Sequence, residues 1–260
     1  MALCNHSINL TGLAGDPSSR VHRLDPRAKL LAFVGITVVA VSAPLSAWPV
    51  YVACGVALVA IAAAARVPAR VVWRRARVVL PLVVFVALFL PFFRHGGAVY
   101  ELGPLSVSQA GLETFATVTI KAVIGTVSAV LLGATTTFPD VLRALELVRV
   151  PRLFTLIAAF MYRYLFVIVE EVGRMRVALA ARGYRPRHAL QAAAIGRLVT
   201  ALFLRSYGRG ERVYLAMLAR GYGGRMPEIR TLSFGAADGA FLSLVLAALV
   251  AVRVAAGVAS

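Results

Sequence analysis

The stretch TFATVTIKAVIGTVSAVLLGA, residues 114–134, is long enough to cross a bilayer as one helix and carries a single charge, Lys121. A helix needs about 20 mostly apolar residues to span the hydrocarbon core. Four more apolar stretches accompany it, at 28–45, 48–65, 78–93 and 236–252. The third is short and holds Pro81 and Pro91, so it is expected to bend or to borrow flanking residues. Between the first two, Pro44, Trp48 and Pro49 read as a tight turn at the headgroup zone, which indole rings favour. Composition points the same way: 60% of the 260 residues are hydrophobic, 15% are charged, and mean hydropathy is +0.82. A soluble domain is nearer half apolar and a quarter charged, so this chain has more apolar surface than one core can hide. The expected fold is an all-α integral membrane protein with about five transmembrane helices and long amphipathic cytoplasmic helices. No charged-then-apolar-then-small pattern opens the chain, so no cleavable signal peptide is expected.

Charge sets the orientation. The formal net charge is +17, with 28 Lys and Arg against 11 acids. Arg20, Arg23, Arg27 and Lys29 precede or open the first stretch, and Arg66, Arg70, Arg74, Arg75 and Arg77 follow the second. Sixteen arginines lie in residues 143–230, so these three regions hold 25 of the 28 basic residues. Five crossings from an inside N-terminus leave all three regions cytoplasmic and the C-terminus outside, as the positive-inside bias demands. The segment 153–169, apolar except for Arg163, could pass for a sixth span. A single crossing there would carry the twelve arginines from Arg174 to Arg230 outside, so a helix in or along the cytoplasmic interface is expected. The chain then divides into a tail (1–27), a four-helix membrane part (28–134), a basic cytoplasmic region (135–230) and a final span (231–260).

The basic region is the most informative. Pro139 can open a short helix over 140–148, which Pro151 stops. One long helix is expected from Arg152 to Ala181 and another from His188 to Ala219. Each closes on Ala-Arg-Gly-Tyr: Ala181, Arg182, Gly183, Tyr184, and Ala219, Arg220, Gly221, Tyr222. Glycine falls where a helix C-terminus wants a left-handed residue, and the two corners lie 38 residues apart. At about 100° per residue, Arg197, Arg205, Arg209 and Arg212 fall within roughly 120° of one another, opposite Val199, Leu202, Phe203, Val213, Tyr214, Met217 and Leu218. On the first long helix Arg163, Glu170 and Arg174 share a face, with Glu170 and Arg174 at the favourable i,i+4 spacing. Such arginines can contact anionic lipid headgroups or dock a partner protein. Two matched corners, each ending an amphipathic helix, favour docking.

Several stretches together resemble one known family. They are LDPRAKL (24–30), TTTFPDVLRAL (135–145), Val150-Pro151, MYRY (161–164), EEVGRM (170–175), ARGY (181–184) and RSYGRGERVYLAMLARGY (205–222). The chain resembles the transmembrane T component of energy-coupling-factor (ECF) transporters, specifically the cobalt-type Q subunit (CbiQ). That resemblance implies a non-catalytic scaffold in the cell membrane. Two cytosolic ABC-type ATPases would dock on its coupling helices, and a separate membrane subunit would capture the substrate. It further implies that Arg182 and Arg220 engage the ATPase pair, one each, with Ala181, Gly183, Ala219 and Gly221 shaping the corners. Arg163, Glu170, Arg174, Arg205, Arg209, Glu211 and Arg212 would support them. ATP would be bound by the partners, and no cofactor by this chain. Whether cobalt, nickel or a vitamin is carried would be decided by the capture subunit.

Other chemistries fit poorly. A nucleic-acid partner would explain the charge but not the apolar surface. His6, His22, His95 and His188 are dispersed, and Cys4 with His6 has too few companions for a metal site. Cys4 and Cys54 are expected as free thiols. Eleven scattered acids, without a ligand-spaced His pair or a Gly-rich phosphate loop, argue against a membrane-embedded enzyme. Lys121 lies well inside a span and is expected either to pair with Glu113 two turns earlier or to meet the capture subunit.

Overall fold

The computed structural model describes residues 19–44, 47–88, 99–102, 105–184, 192–224 and 234–258. These residues form nine helices and one short hairpin: α1 (Arg20–Arg23), α2 (Pro26–Ser42), α3 (Trp48–Ala64), α4 (Ala69–Leu88), β1 (Val99–Leu102), β2 (Leu105–Ser108), α5 (Gln109–Thr135), α6 (Phe138–Leu147), α7 (Arg152–Ala181), α8 (Ala192–Ala219) and α9 (Ala236–Val258). The all-helical class expected from sequence is therefore the observed one. The hairpin, antiparallel with Tyr100 opposite Val107, lies between the apolar stretches 78–93 and 114–134. The chain divides into two compact units, one of residues 1–150 with 232–260, the other of residues 151–231. Helix α6 thus belongs with the membrane helices rather than with the basic region that follows it.

Among the described residues, three helices are long and apolar enough to cross a membrane by length and composition: Gly111–Thr135 within α5, Arg152–Ala181, and Ala236–Val254 within α9. Of the five expected crossings, α5 and α9 are among them. Helices α2 and α3 have 17 residues each, which at 1.5 Å per residue reach about 26 Å, the short end for a span. Helix α4 begins well before the expected stretch, takes in Arg70, Arg74, Arg75 and Arg77, and continues through Pro81. Helix α7, expected along the interface, is a single 30-residue helix whose length and composition equally suit a crossing.

In the first unit α2 is the axis, packing against α3, α5, α6 and α9. Its buried side includes Ala32, Phe33, Ile36 and Ala40, which meet Val50, Cys54, Leu58, Leu131 and Leu249 in the core. Small residues permit the close approach that helix pairs need in lipid, where no hydrophobic gain drives association. A Cβ on Gly35 would lie 2.9 Å from Leu246 Cδ2 of α9. Outward from this core, Val34, Val38, Val52, Val56 and Val59 are exposed. Helices apolar on both their packed and their open faces are suited to lipid rather than water.

Polar contacts fix both ends of α2. At its start, Asp25 caps the helix by accepting from the Arg27 N–H at 2.9 Å, and Pro26 needs no partner at the first position. The Asp25 N–H donates to Asp238 Oδ1 at 2.7 Å, while Asp238 Oδ2 accepts from Gly235 N–H at 2.8 Å and so caps α9. Lys29, which the charge count placed with the basic tail, is only 2% exposed. Its ammonium donates to the carbonyls of His22 and Thr135, each at 3.1 Å. The carboxylates of Asp140, Asp238 and Asp25 balance its charge at longer range. One ammonium thus ties α1, α2 and the last carbonyl of α5.

The other end of α2 has the opposite need, because the last carbonyls of a helix lack intrahelical donors and carry partial negative charge. Lys121 Nζ donates to the Val41 carbonyl at 2.7 Å, Arg253 Nη2 to Ser42 at 3.4 Å and Tyr51 Oη to Ala43 at 2.8 Å. Lys121 therefore serves a helix end rather than Glu113. Removing Lys29 leaves buried carboxylates without their cation, a loss of about 3–5 kcal/mol. Lys121 loses one charge-assisted bond, about 1.5–3 kcal/mol. Lys29→Met should therefore lower the thermal midpoint of the detergent-solubilised protein more than Lys121→Met does, and equal midpoints would refute this ranking.

Candidate functional site: two arginine-tipped helix ends

The second unit consists of α7 and α8, and its distinctive features are the two helix ends. Helix α7 spans Arg152–Ala181, the limits expected from sequence; the expected start of α8 at His188 lies outside the described residues, and its end at Ala219 agrees. After Ala181, Arg182 caps the helix and Gly183 turns left-handed at φ 76°. The Tyr184 N–H then donates to the Leu179 carbonyl at 3.1 Å, and Gly183 N–H to Ala180 at 3.0 Å. After Ala219 the same pattern recurs: Gly221 has φ 78°, Tyr222 N–H donates to Met217 at 3.0 Å, and Gly221 N–H to Leu218 at 2.9 Å. Both ends are Schellman motifs of identical pairing. A Cβ at either glycine would meet nothing within 4 Å, so glycine is required by backbone conformation and not by crowding.

This geometry leaves each arginine at a bend. Arg182 and Arg220 are exposed, as are Ala181, Gly183, Ala219 and Gly221 beside them. A guanidinium beside a helix C-terminus sits favourably in the helix dipole, yet among the described residues neither forms an ion pair. Its five donors stay available for a planar partner such as a carboxylate.

The two helices are joined by a carboxylate. Arg174 donates to Glu170 at 2.7 Å, the i,i+4 pair expected, and also to Glu171 at 2.5 Å. Glu171 in turn receives Arg205 of α8. Glu171 was not singled out from sequence, because helical periodicity does not reveal the level at which two helices cross. Arg163, Glu211 and Arg212 are exposed and Arg209 half-buried, with no ion pair among the described residues. Alongside the link lies a cavity of about 470 Å³ lined mainly by apolar side chains, including Ile157, Met161 and Leu202. No cluster of three His, Cys, Asp or Glu able to hold a metal occurs among the described residues. Cys54 is a free buried thiol, while Cys4 and His6 lie outside the described residues.

A helical membrane protein with a polar-pinned bundle and a separate arginine-rich helix pair fits a transporter's membrane component better than a soluble factor. The CbiQ family model, described as cobalt transport protein, matches residues 17–230, and the chain belongs to that family. It is a membrane component of the ECF transporter type. It is 26% identical over 247 residues to the energy-coupling factor transporter transmembrane protein EcfT of Streptococcus equi subsp. equi, covering 88% of this chain and 90% of that one. It is 25% identical over 220 residues to a putative fused cobalt transport protein CbiMQ of Methanocorpusculum labreanum, covering 80% and 36%. An uncharacterised protein of Methanocaldococcus jannaschii is 28% identical over 185 residues, covering 68% and 63%. The chain thus spans less than two thirds of the length of the latter two relatives.

A side chain forced into the left-handed region costs about 1–2 kcal/mol. Gly183→Val and Gly221→Val should therefore loosen their own helix ends without unfolding the protein. Amide hydrogen exchange should accelerate about 5- to 30-fold at Tyr184 or Tyr222 in the respective variant. Unchanged exchange would mean that the left-handed turn is not what holds the corner.

Proposed function

We propose that the chain is the transmembrane coupling subunit of an ECF-type ABC importer for cobalt. In this role it passes ATP-driven motion of two cytosolic ATPases to a separate substrate-capture membrane subunit. The observation that carries the proposal is the matched pair of corners, each presenting an exposed arginine without an ion pair among the described residues. One corner would serve each ATPase. A planar guanidinium suits a carboxylate-lined groove because it can bond both oxygens at once, which a lysine cannot do. Cobalt as cargo is supported by the family's description and by the fused cobalt relative. The EcfT relatives are named as transporter components without a cargo, so nickel or a vitamin is the alternative; the capture subunit would choose.

In this reading the chain is a multi-pass cell-membrane protein with its N-terminus and arginine-rich region in the cytoplasm. It binds no nucleotide, metal or nucleic acid and catalyses nothing itself. ATP binding would close the ATPases, and the docked corners would follow. Only a difference in contact between the two ATPase states can bias the membrane subunits. The exposed apolar residues of the helix pair, such as Phe154, Met161 and Phe203, supply surface for lipid and for the capture subunit.

Purification in mild detergent tests the proposal. The wild-type chain should bring both ATPases with it, whereas an enzyme or a lipid-surface anchor would come alone. Each of Arg182→Ala and Arg220→Ala should remove a charge-assisted contact of about 1.5–3 kcal/mol, weakening ATPase binding by roughly 10- to 150-fold. The double variant should lose cobalt uptake; wild-type uptake there would end this assignment, as would labelling of residues 182 and 220 from outside the cell.

A further inference from the structure

The two corners can act together only if the helices carrying them keep a fixed relation, and the second unit offers little apolar burial to enforce one. Leu153, Phe154, Met161, Val177, Phe203, Leu204 and Leu215 are all exposed. Among the described residues, the ion pair that links the helices is made by Glu171. Its side chain is 13% exposed, against 54% for Arg174 and 63% for Arg205. It accepts from Arg174 on its own helix and from Arg205 across the gap, while Glu170 also holds Arg174. The carboxylate borders the apolar cavity between the helices. From this level the chain runs about 15 Å to the end of α7 and about 21 Å to the end of α8, at 1.5 Å per residue.

We infer that Glu171 is a positioning residue for coupling: its bond to Arg205 pins α7 against α8 and sets the separation of the Arg182 and Arg220 corners. The inference rests on the proposed docking role of those corners. It assigns Glu171 no contact with an ATPase or with substrate. A pin at this level makes displacement of one corner felt at the other, whereas unlinked helices would absorb it. Glu170 cannot substitute, because it bonds Arg174 of its own helix, and Arg205 would be left without a carboxylate.

The test uses the full-length protein with its ATPases and capture subunit. Spin labels are attached at Val177→Cys and Leu215→Cys, with Cys4→Ser and Cys54→Ala in the background, and the label separation is read by pulsed electron paramagnetic resonance. Glu171→Gln should broaden the distance distribution and reduce ATP-driven uptake by about ten-fold, while both ATPases still co-purify. The reversed pair, Glu171→Arg with Arg205→Glu, should narrow the distribution again and recover most uptake, since Glu170 still holds Arg174. A narrow distribution with wild-type uptake in Glu171→Gln overturns the inference, and so does a broadening that reversal leaves unchanged. Because the label separation is measured with and without ATPases, it reports on the pin even if no ATPase docks. Loss of the docking reading and loss of the pin are therefore separate results.

Discussion

A lysine ammonium held almost wholly out of solvent determines how the membrane helices meet. Burying a cation carries a desolvation cost of several kcal/mol unless its donors and its charge are both answered. Around Lys29 both are: two carbonyls take its hydrogen bonds, and three aspartates lie near enough to balance it. Asp25 caps the helix of Lys29 itself, and the other four groups come from four other helices. The carbonyls of His22 and Thr135 belong to α1 and α5, Asp140 to α6 and Asp238 to α9. The ammonium is satisfied only when all of them have assembled, so it specifies one arrangement of helices whose apolar surfaces would tolerate several. Two further cations and a tyrosine hydroxyl do the complementary work at the far end of α2, on carbonyls rather than carboxylates. With helix faces as greasy as lipid, direction has to come from such polar ends.

The helix pair of the second unit is built on another principle. Its order lies in the hydrogen bonds that close α7 and α8 on a left-handed glycine and in the Glu171 link between them. Its apolar surface stays largely open. That contrast suits a coupling element in the proposed role. The tips need a defined shape to be gripped, while the shafts need free surface for lipid and a neighbouring subunit. Membership of the CbiQ family fits this division of labour.

Local features of this architecture were legible in the sequence, and distant ones were not. The limits of α7 and the end of α8 follow from Pro151 and the two Arg-Gly pairs, because proline and glycine act on their own backbone. The short helix expected over 140–148 is similarly announced by Pro139, and it forms over Phe138–Leu147 with Thr137 as its cap. By contrast, Asp25 finds Asp238 across 213 residues and Glu171 finds Arg205 across 34. Lys121 was weighed against Glu113 because a carboxylate is visible in a sequence. Its actual acceptor is the carbonyl of Val41, and since every residue has a carbonyl, no residue type advertises it. The same blindness made Lys29 look like a member of the cytoplasmic charge count, although its side chain is buried.

In the proposed docking role, the two arginine corners make sense together in a way neither does alone. One charge-assisted contact in water is modest, of order 1.5–3 kcal/mol, and a single exposed guanidinium would hold a partner only fleetingly. When two contacts sit on one body, the second forms intramolecularly, at an effective concentration set by the geometry between them. That gain depends on stiffness. If α7 and α8 could slide or splay, each docking event would first have to restrict the pair, and the cost would come out of the binding. It would also reduce the motion delivered to the membrane, because displacement at a tip would be absorbed between the helices. A short backbone turn at each tip and a carboxylate between the shafts remove freedom at the two levels where it would matter. Two weak contacts can then serve as one strong, direction-bearing attachment.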